Sequence, residues 1–463
     1  MLAVACGSYA GAPSDPGPKV SLWLTTGDGA SLLQRQADLT FTDGDRPAPI
    51  TIEVDEAAAG QEIDGFGASL TESAAWVLTN GLSEGARELV LTRLFSAEDG
   101  IGLSLLRQPM GASDFALTNY TYDDRPAATL DPELRGFSID HDRATILPLL
   151  RRAKAINPRL RLMATPWSPP AWMKTTRSLF GGKLREAYYA SYATLFVRYL
   201  QAYAAEGLPV DFVTVQNEPH NEPETYPGMR MEAEEQAAFI RDHLGPAFRA
   251  NGIGTRILAW DHNWNEPDYA LAVLGDPGAR SFVAGSAFHC YAGDVAQQLD
   301  VHRAYPDRGI WFTECSGGDF APSFADNLKW NVSHLMIGAT RNWARSVLLW
   351  NIALDENRGP QNGGCGNCRG VVTVNIARGA VQYEVEYYAL GHLSAFVVPG
   401  ARRIDSTTLP GRIETVAFRN PDGSKVLLGL NAGAGSSTFT VRWSGRSFEH
   451  TLGAGSVVTF RWP

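Results

Sequence analysis

Residues 211–219, "DFVTVQNEP", decide how this chain is read. Apolar residues run through Phe212, Val213 and Val215; then Gln216, Asn217 and Glu218 follow, and Pro219 breaks the pattern. A short apolar run closed by a breaker reads as a buried strand. Its tip sets an amide beside a carboxylic acid. An ionisable group placed where a buried strand meets a loop is costly unless it has a partner or a task.

Seven more segments share this form: "EIDGFGASL" (62–70), "GLSLLRQPM" (102–110), "RLMATPW" (161–167), "RILAWDHN" (256–263), "VAGSAFHCY" (283–291), "GIWFTECSG" (309–317) and "SVLLWNIA" (346–353). Amphipathic stretches lie between them. "SEGARELVLTRLF" (83–95) opens with Ser83 as an N-cap, and "EAYYASYATLFVRYLQAYAAEG" (186–207) stops at Gly207. Eight strands alternating with helices predict an α/β fold, a (β/α)8 TIM barrel over residues 59–398. A doubly wound open sheet is the alternative, but no G-x-G-x-x-G follows the first strand.

The two chain ends read differently. Residues 19–58 and 399–463 carry short strands between Gly, Asp and Pro turns, with "PDGS" (421–424) as a hairpin turn. Neither end has enough strands to bury a core alone, so both are expected to join in one β-sandwich side domain. Residues 1–18 read as a flexible leader. The small apolar residues before Cys6 look like the end of a bacterial lipoprotein signal, which predicts a secreted or cell-surface protein lipid-anchored through Cys6. An ordinary leader with a chance cysteine is the other reading.

Of 463 residues, 44% are hydrophobic and 12 are Trp, enough for a large core. The formal charge of −10 leaves no basic surplus to neutralise phosphates, which argues against a nucleic-acid partner. No apolar run approaches the ~18–20 residues of a membrane span. Cys365 and Cys368 form a C-x-x-C with no second pair at zinc spacing, so a loop-closing disulfide is favoured over a structural metal. Cys290 and Cys315, each following a strand end, are expected to be free and buried.

Seven of the eight strands end in polar or aromatic residues: Arg107, Trp167, Asn217 with Glu218, Asp261 with His262, His289 with Tyr291, Glu314, and Trp350 with Asn351. In a barrel these tips converge on one face. A lone Glu or Trp at a strand end reads as structural; the constellation reads as a site. Glu218 and Glu314 end the fourth and seventh strands, so they can face each other across the barrel mouth. Paired carboxylates flanking a pocket are what glycoside hydrolysis requires. Trp167, Trp172 and Trp350 offer faces on which sugar rings stack. His220, His262 and His289 lack metal-site spacing, there is no H-E-x-x-H or G-x-S-x-G, and no cofactor or catalytic metal is expected.

Eight pieces occur together and in order: "DGFGASLTESAAW" (64–76), "LLRQPMGASDFALTNYTYDD" (105–124), "ATPWSPPAWMKT" (164–175), "VQNEP" (215–219), "AFHCY" (287–291), "FTECSGG" (312–318), "LLWNIALDENRGP" (348–360) and "YYALGHLSAFVVPGARR" (387–403). Jointly the chain resembles glycoside hydrolase family 30, the glucosylceramidase-like retaining β-glycosidases. The resemblance implies Glu218 as acid/base and Glu314 as nucleophile of a double displacement through a glycosyl-enzyme. It also implies Arg107, Asp114, Trp167, Asn217, Tyr226, His289, Tyr291, Trp350 and Asn351 as the sugar-binding and supporting shell, and a carbohydrate or glycolipid substrate. Glu218 is then expected to rest protonated, because two close carboxylates cannot both ionise cheaply.

Two loops depart from the animal glucosylceramidase pattern: "NEPHNEPETYPGM" (217–229) and "ENRGPQNGGCGNCRGVV" (356–372). Both bear on the leaving-group side, and the first makes the placing of Tyr226 less direct. "NYTYDD" (119–124) resembles relatives that cut β-1,6-glucan. The expected activity is that of a β-glucosidase of glucosylceramidase type, with a role in sphingolipid or carbohydrate metabolism, or of a β-1,6-glucanase. The alternatives are β-xylosidase or β-fucosidase specificity on the same machinery, and an inactive carbohydrate-binding protein.

Overall fold

The computed structural model describes residues 17–44, 49–126 and 129–463. Its centre is a ring of parallel strands: β1 (Gly65–Ser69), β2 (Leu105–Met110), β3 (Arg161–Pro166), β4 (Phe212–Thr214), β5 (Arg256–Asn263), β6 (Val283–His289), β7 (Gly309–Glu314) and β8 (Ala344–Asn351). Each pairs with the next, and β8 pairs with β1, from Ser346 opposite Gly65 to Asn351 opposite Ser69. The closed ring is the (β/α)8 barrel and excludes the open sheet.

Side chains fill the ring. Leu105, Met163, Phe212, Leu258, Trp311 and Leu348 form an apolar layer inside it. Below them, buried Asp64 accepts hydrogen bonds from Trp311 Nε1 (3.0 Å) and Arg345 Nε (2.7 Å). It also pairs with Arg161. Gly67 lets β1 approach β2, since a Cβ there would lie 1.8 Å from the Leu105 carbonyl oxygen. Outside, Ser83 Oγ caps helix Glu84–Phe95 by accepting from Ala86 N–H. The long helix Tyr189–Ala205 ends before Gly207, which takes the left-handed φ of 77°.

Strands from both chain ends share one sheet. Lys19–Thr25 lies between Gln34–Arg35 and Val457–Trp462, and Thr51–Glu62 lies between Arg402–Ser406 and Ser437–Trp443. Their core gathers Val20, Phe41 and Ile52 with Ile404, Phe448 and Phe460, so neither end buries its apolar face alone. The barrel is pinned to this layer by His392 of helix Val385–Ser394. Its ring nitrogens meet Thr459 Oγ1 (2.9 Å) and Thr25 Oγ1 (2.8 Å), one strand from each chain end. Burial pushes that imidazole down to about 3, so it is neutral and bridges the two hydroxyls.

Two sequence expectations change here. Cys290 and Cys315 are not free: they form a disulfide with Cα atoms 5.4 Å apart. Each follows the end of its strand, and β6 and β7 are barrel neighbours, so the ring itself brings them together; neither strand read alone shows this. Strand β4 stops at Thr214, four residues short of Glu218. Cys365 and Cys368 are joined as a disulfide. Cys6 and most of the leader fall outside the described residues. Among the described residues no helix is long and apolar enough to cross a membrane.

Candidate active site

At the C-terminal rim of the barrel lies a cavity of about 380 Å³ whose wall includes Asp114, Trp167, Asn217, Glu218, Tyr226, Tyr291, Glu314 and Trp350. Glu314 is the last residue of β7. Both its oxygens are held: Tyr291 Oη donates to Oε1 (2.9 Å) and Arg107 Nη1 to Oε2 (2.5 Å). Burial and the charge of Glu218 push the Glu314 carboxyl up, while His289, Arg107 and Tyr291 oppose them.

Glu218 sits on a loop, with a left-handed φ of 46° that a non-glycine residue adopts only under constraint. The constraint is a set of backbone bonds. Asn217 N–H donates to Pro166 O (2.8 Å) on β3, and Glu218 N–H to Asp261 O (3.0 Å) on β5. The neighbouring strands thus hold the loop that continues β4. Glu218 Oε2 accepts from Asn221 Nδ2 (2.8 Å), which also reaches Tyr226 Oη (3.2 Å).

His289 joins the two acids. Its Nδ1 lies 3.0 Å from Glu218 Oε1 and 4.0 Å from Glu314 Oε1, while Nε2 lies 3.0 Å from Asp261 Oδ1. Burial pushes the imidazole down, but the charges of Glu314 and Asp261 and the bonds to Asp261 and Glu218 lift it to about 9. Burial likewise pushes Glu218 up, but the hydrogen bond and charge of His289 bring it to about 2. Both directions favour the proton on His289, one hydrogen bond from Glu218. This differs from the sequence expectation of a protonated Glu218, which counted the repulsion from Glu314 and had no cation between the acids. Glu218 and Glu314 lie close enough to titrate as a pair.

Asp261 organises the floor and was not among the predicted site residues. It accepts from Arg107 Nη2 (2.9 Å), His289 Nε2 (3.0 Å), Thr214 Oγ1 (2.7 Å) and Thr313 Oγ1 (2.7 Å). Burial pushes its carboxyl up, but Arg107 and His289 drive it far below the usual range. A bulge explains its reach. The β5–β6 register shifts between Trp260 and His262, and Trp260 and Asp261 take φ of 74° and 68°. Successive residues of a regular strand point to opposite faces; the bulge lets Asp261 and His262 both serve the site. The sequence marked both as a polar tip, but no bulge is visible in it. Asn221, three residues past the acid, and Phe320, which lines the cavity while 60% exposed, were also missed.

Of the predicted shell, Arg107, His289 and Asn351 lie under the wall rather than on it. Arg107 is fully buried, with its guanidinium 5.0 Å from the Trp167 ring and 5.5 Å from Trp350. Those two indoles stack at 5.1 Å. Asn351 Oδ1 accepts from Thr71 Oγ1 (2.7 Å), whose oxygen caps helix Glu72–Asn80. Burial and the charges of Glu314 and Glu218 push the Asp114 carboxyl well above the usual carboxylate range. Trp172, quoted with Trp167 in sequence, instead donates Nε1 to Asp123 O (3.2 Å) outside the cavity wall.

The profile of the glycosyl hydrolase family 30 TIM-barrel domain matches residues 63–397, and that of the glycosyl hydrolase family 30 beta sandwich domain matches residues 400–460. The chain is 32% identical over 409 residues to endo-1,6-beta-D-glucanase BGN16.3 of Trichoderma harzianum, spanning 82% of this chain and 81% of that protein. It is 31% identical over 428 residues to the lysosomal acid glucosylceramidase of Mus musculus, spanning 87% and 81%. The solved endo-beta1,6-glucanase BT3312 superposes with a TM-score of 0.89 at 35% identity, covering 96% of this chain and 99% of that one. The chain is a glycoside hydrolase and belongs to glycoside hydrolase family 30.

Proposed function

We propose that this protein hydrolyses β-1,6-linked glucan with retention of anomeric configuration. The observation that carries the mechanism is His289 Nδ1 within 3.0 Å of Glu218 and 4.0 Å of Glu314. An inverting pair stands about 6.5–9.5 Å apart and a retaining pair about 5–5.5 Å. With one nitrogen this close to both, the inverting range could be met only at its lower end, with the nitrogen strung between the two oxygens.

Glu314, oriented by Arg107 and Tyr291, attacks the anomeric carbon, while the proton of the Glu218–His289 pair passes through Glu218 to the leaving oxygen. Esterification removes the charge of Glu314. Glu218 then takes a proton from water, the hydroxide oxygen attacks the anomeric carbon, and Glu314 leaves as carboxylate. Because Arg107 only donates, the atom of Asn217 facing its Nη2 at 2.7 Å is the carbonyl oxygen, which turns the amide NH2 toward the sugar 2-OH. The stacked Trp167 and Trp350 supply an apolar face for a sugar ring.

The glucan reading is supported by the near end-to-end match with the β-1,6-glucanase structure. A glucosylceramide reading has its own support in a second cavity of about 400 Å³ beside Tyr291 and Phe320, lined by Ala321, Trp330 and the Cys290–Cys315 bridge. Export fits two disulfides, which persist in oxidising compartments. The deciding experiment compares release of reducing sugar from β-1,6-glucan with release of ceramide from glucosylceramide in detergent micelles. Turnover of glucan alone supports the first reading; turnover of the lipid alone replaces it with the second.

A further inference from the structure

Glu218, His262 and His289 bring three donor atoms close together. The three atoms lie within 4.8 Å of one another. Glu218 Oε1 is 3.0 Å from Nδ1 of His289 and 3.7 Å from Nδ1 of His262. A metal held at ~2.0–2.2 Å by each donor spaces tetrahedral ligands roughly 3.3 Å apart. The two separations bracket that value.

Two further observations point to a ligand. His262 is 9% exposed, and its Nδ1 makes no hydrogen bond, although buried polar atoms ordinarily find partners. His289 presents its other nitrogen to Asp261 at 3.0 Å, the outer carboxylate that orients a metal-bound imidazole, and Arg107, Thr214 and Thr313 fix that carboxylate. Asn221 holds Glu218 Oε2, leaving Oε1 on the side of the two imidazoles. Glu218 itself forms part of the catalytic cavity's wall.

We propose that Glu218, His262 and His289 form an exchangeable site for a transition-metal dication of the Zn²⁺ or Cu²⁺ type, and that occupation stops hydrolysis. Two imidazoles and one carboxylate suit zinc, copper and nickel, whereas magnesium and calcium favour oxygen donors. Binding forms three metal–ligand bonds and releases to water the proton shared by Glu218 and His289; no electron is transferred. The metal then occupies the oxygen that hands the proton to the leaving group. Inhibition rests on the acid/base reading of Glu218; binding itself does not.

The test uses the full chain, stripped with chelator and dialysed. CoCl2 is titrated while visible d–d absorption is followed, and in parallel ZnCl2 is titrated against hydrolysis of an aryl β-glucoside. One cobalt per chain is expected, with loss of turnover on zinc that EDTA restores. His262→Ala and Glu218→Gln should each weaken cobalt binding by ~10-fold or more. His220→Ala, which alters a histidine paired with Glu266 and Glu232, should bind as wild type does. No cobalt spectrum at millimolar metal, or equal affinity in His262→Ala and wild type, overturns the site. Cobalt binding in the predicted pattern with turnover untouched by zinc overturns the switch.

Discussion

Cys290 is bonded to Cys315, so the residue after His289 is covalently tied to the residue after Glu314. The bridge spans neighbouring strand ends, and Tyr291, one residue beyond Cys290, donates its hydroxyl to Glu314. The disulfide therefore fixes the loop that orients Glu314. It closes a span of 25 residues, worth about 3.5 kcal/mol by chain entropy. In Cys290→Ser/Cys315→Ser the melting temperature should fall, and kcat should drop by ~10- to 100-fold with a smaller change in KM, as expected for a misplaced reacting group. An unchanged kcat in the double variant would remove the positioning role.

Arg107 places one planar guanidinium against Glu314, Asn217, Asp261 and Thr165, with no solvent exposure. Arg107→Met takes the guanidinium away from two buried carboxylates, Glu314 and Asp261, which should cost about 3–5 kcal/mol. Arg107→Lys keeps a charge but not the fork, so stability should recover in part while kcat stays low. Thermal melts and steady-state kinetics on both variants separate the effects; equal kcat for Arg107→Lys and wild type would contradict the assignment.

Asp142 is buried against three phenols and accepts from Tyr203 (2.5 Å), Tyr122 (2.7 Å) and Tyr120 (3.3 Å). Burial pushes its carboxyl up to about 6 against these bonds and the charge of His141. An unfolded Asp titrates near roughly 3.9, so between that pH and about 6 the folded chain binds more protons and stability falls as pH rises. Full stabilisation lies below the unfolded pKa and is lost through the folded one. The unfolding free energy of wild type minus that of Asp142→Asn should fall by roughly 2 kcal/mol from about pH 4 to about pH 7. Denaturant melts across that range check it; a constant difference would contradict it.

The barrel was legible because its signals are periodic and local. Each strand is an apolar run with a polar end, as in "GIWFTECSG", and the closure of β8 on β1 follows from eight such units. The placing of Glu218 and Glu314 at one rim was legible for the same reason. What escaped depends on contacts between segments: the Cys290–Cys315 bridge needs β6 beside β7, and the reach of Asp261 needs a bulge between Trp260 and His262. The resting proton escaped too. His289 reads in sequence as one more polar tip, and only the fold sets it against three carboxylates. Glu218 was expected on a rigid strand end; it gains its rigidity from backbone bonds to Pro166 and Asp261 on either side.

The central claim is that Glu314 attacks the sugar and Glu218 moves the proton. Incubation with an activated 2-deoxy-2-fluoro-β-glucoside, followed by proteolysis and mass-spectrometric mapping, tests it most directly. A stable glycosyl adduct on Glu314, with matching loss of turnover and its slow recovery on adding an acceptor sugar, is the predicted result. An adduct on Glu218, or on neither acid in an enzyme that turns over the parent glucoside, would contradict the account.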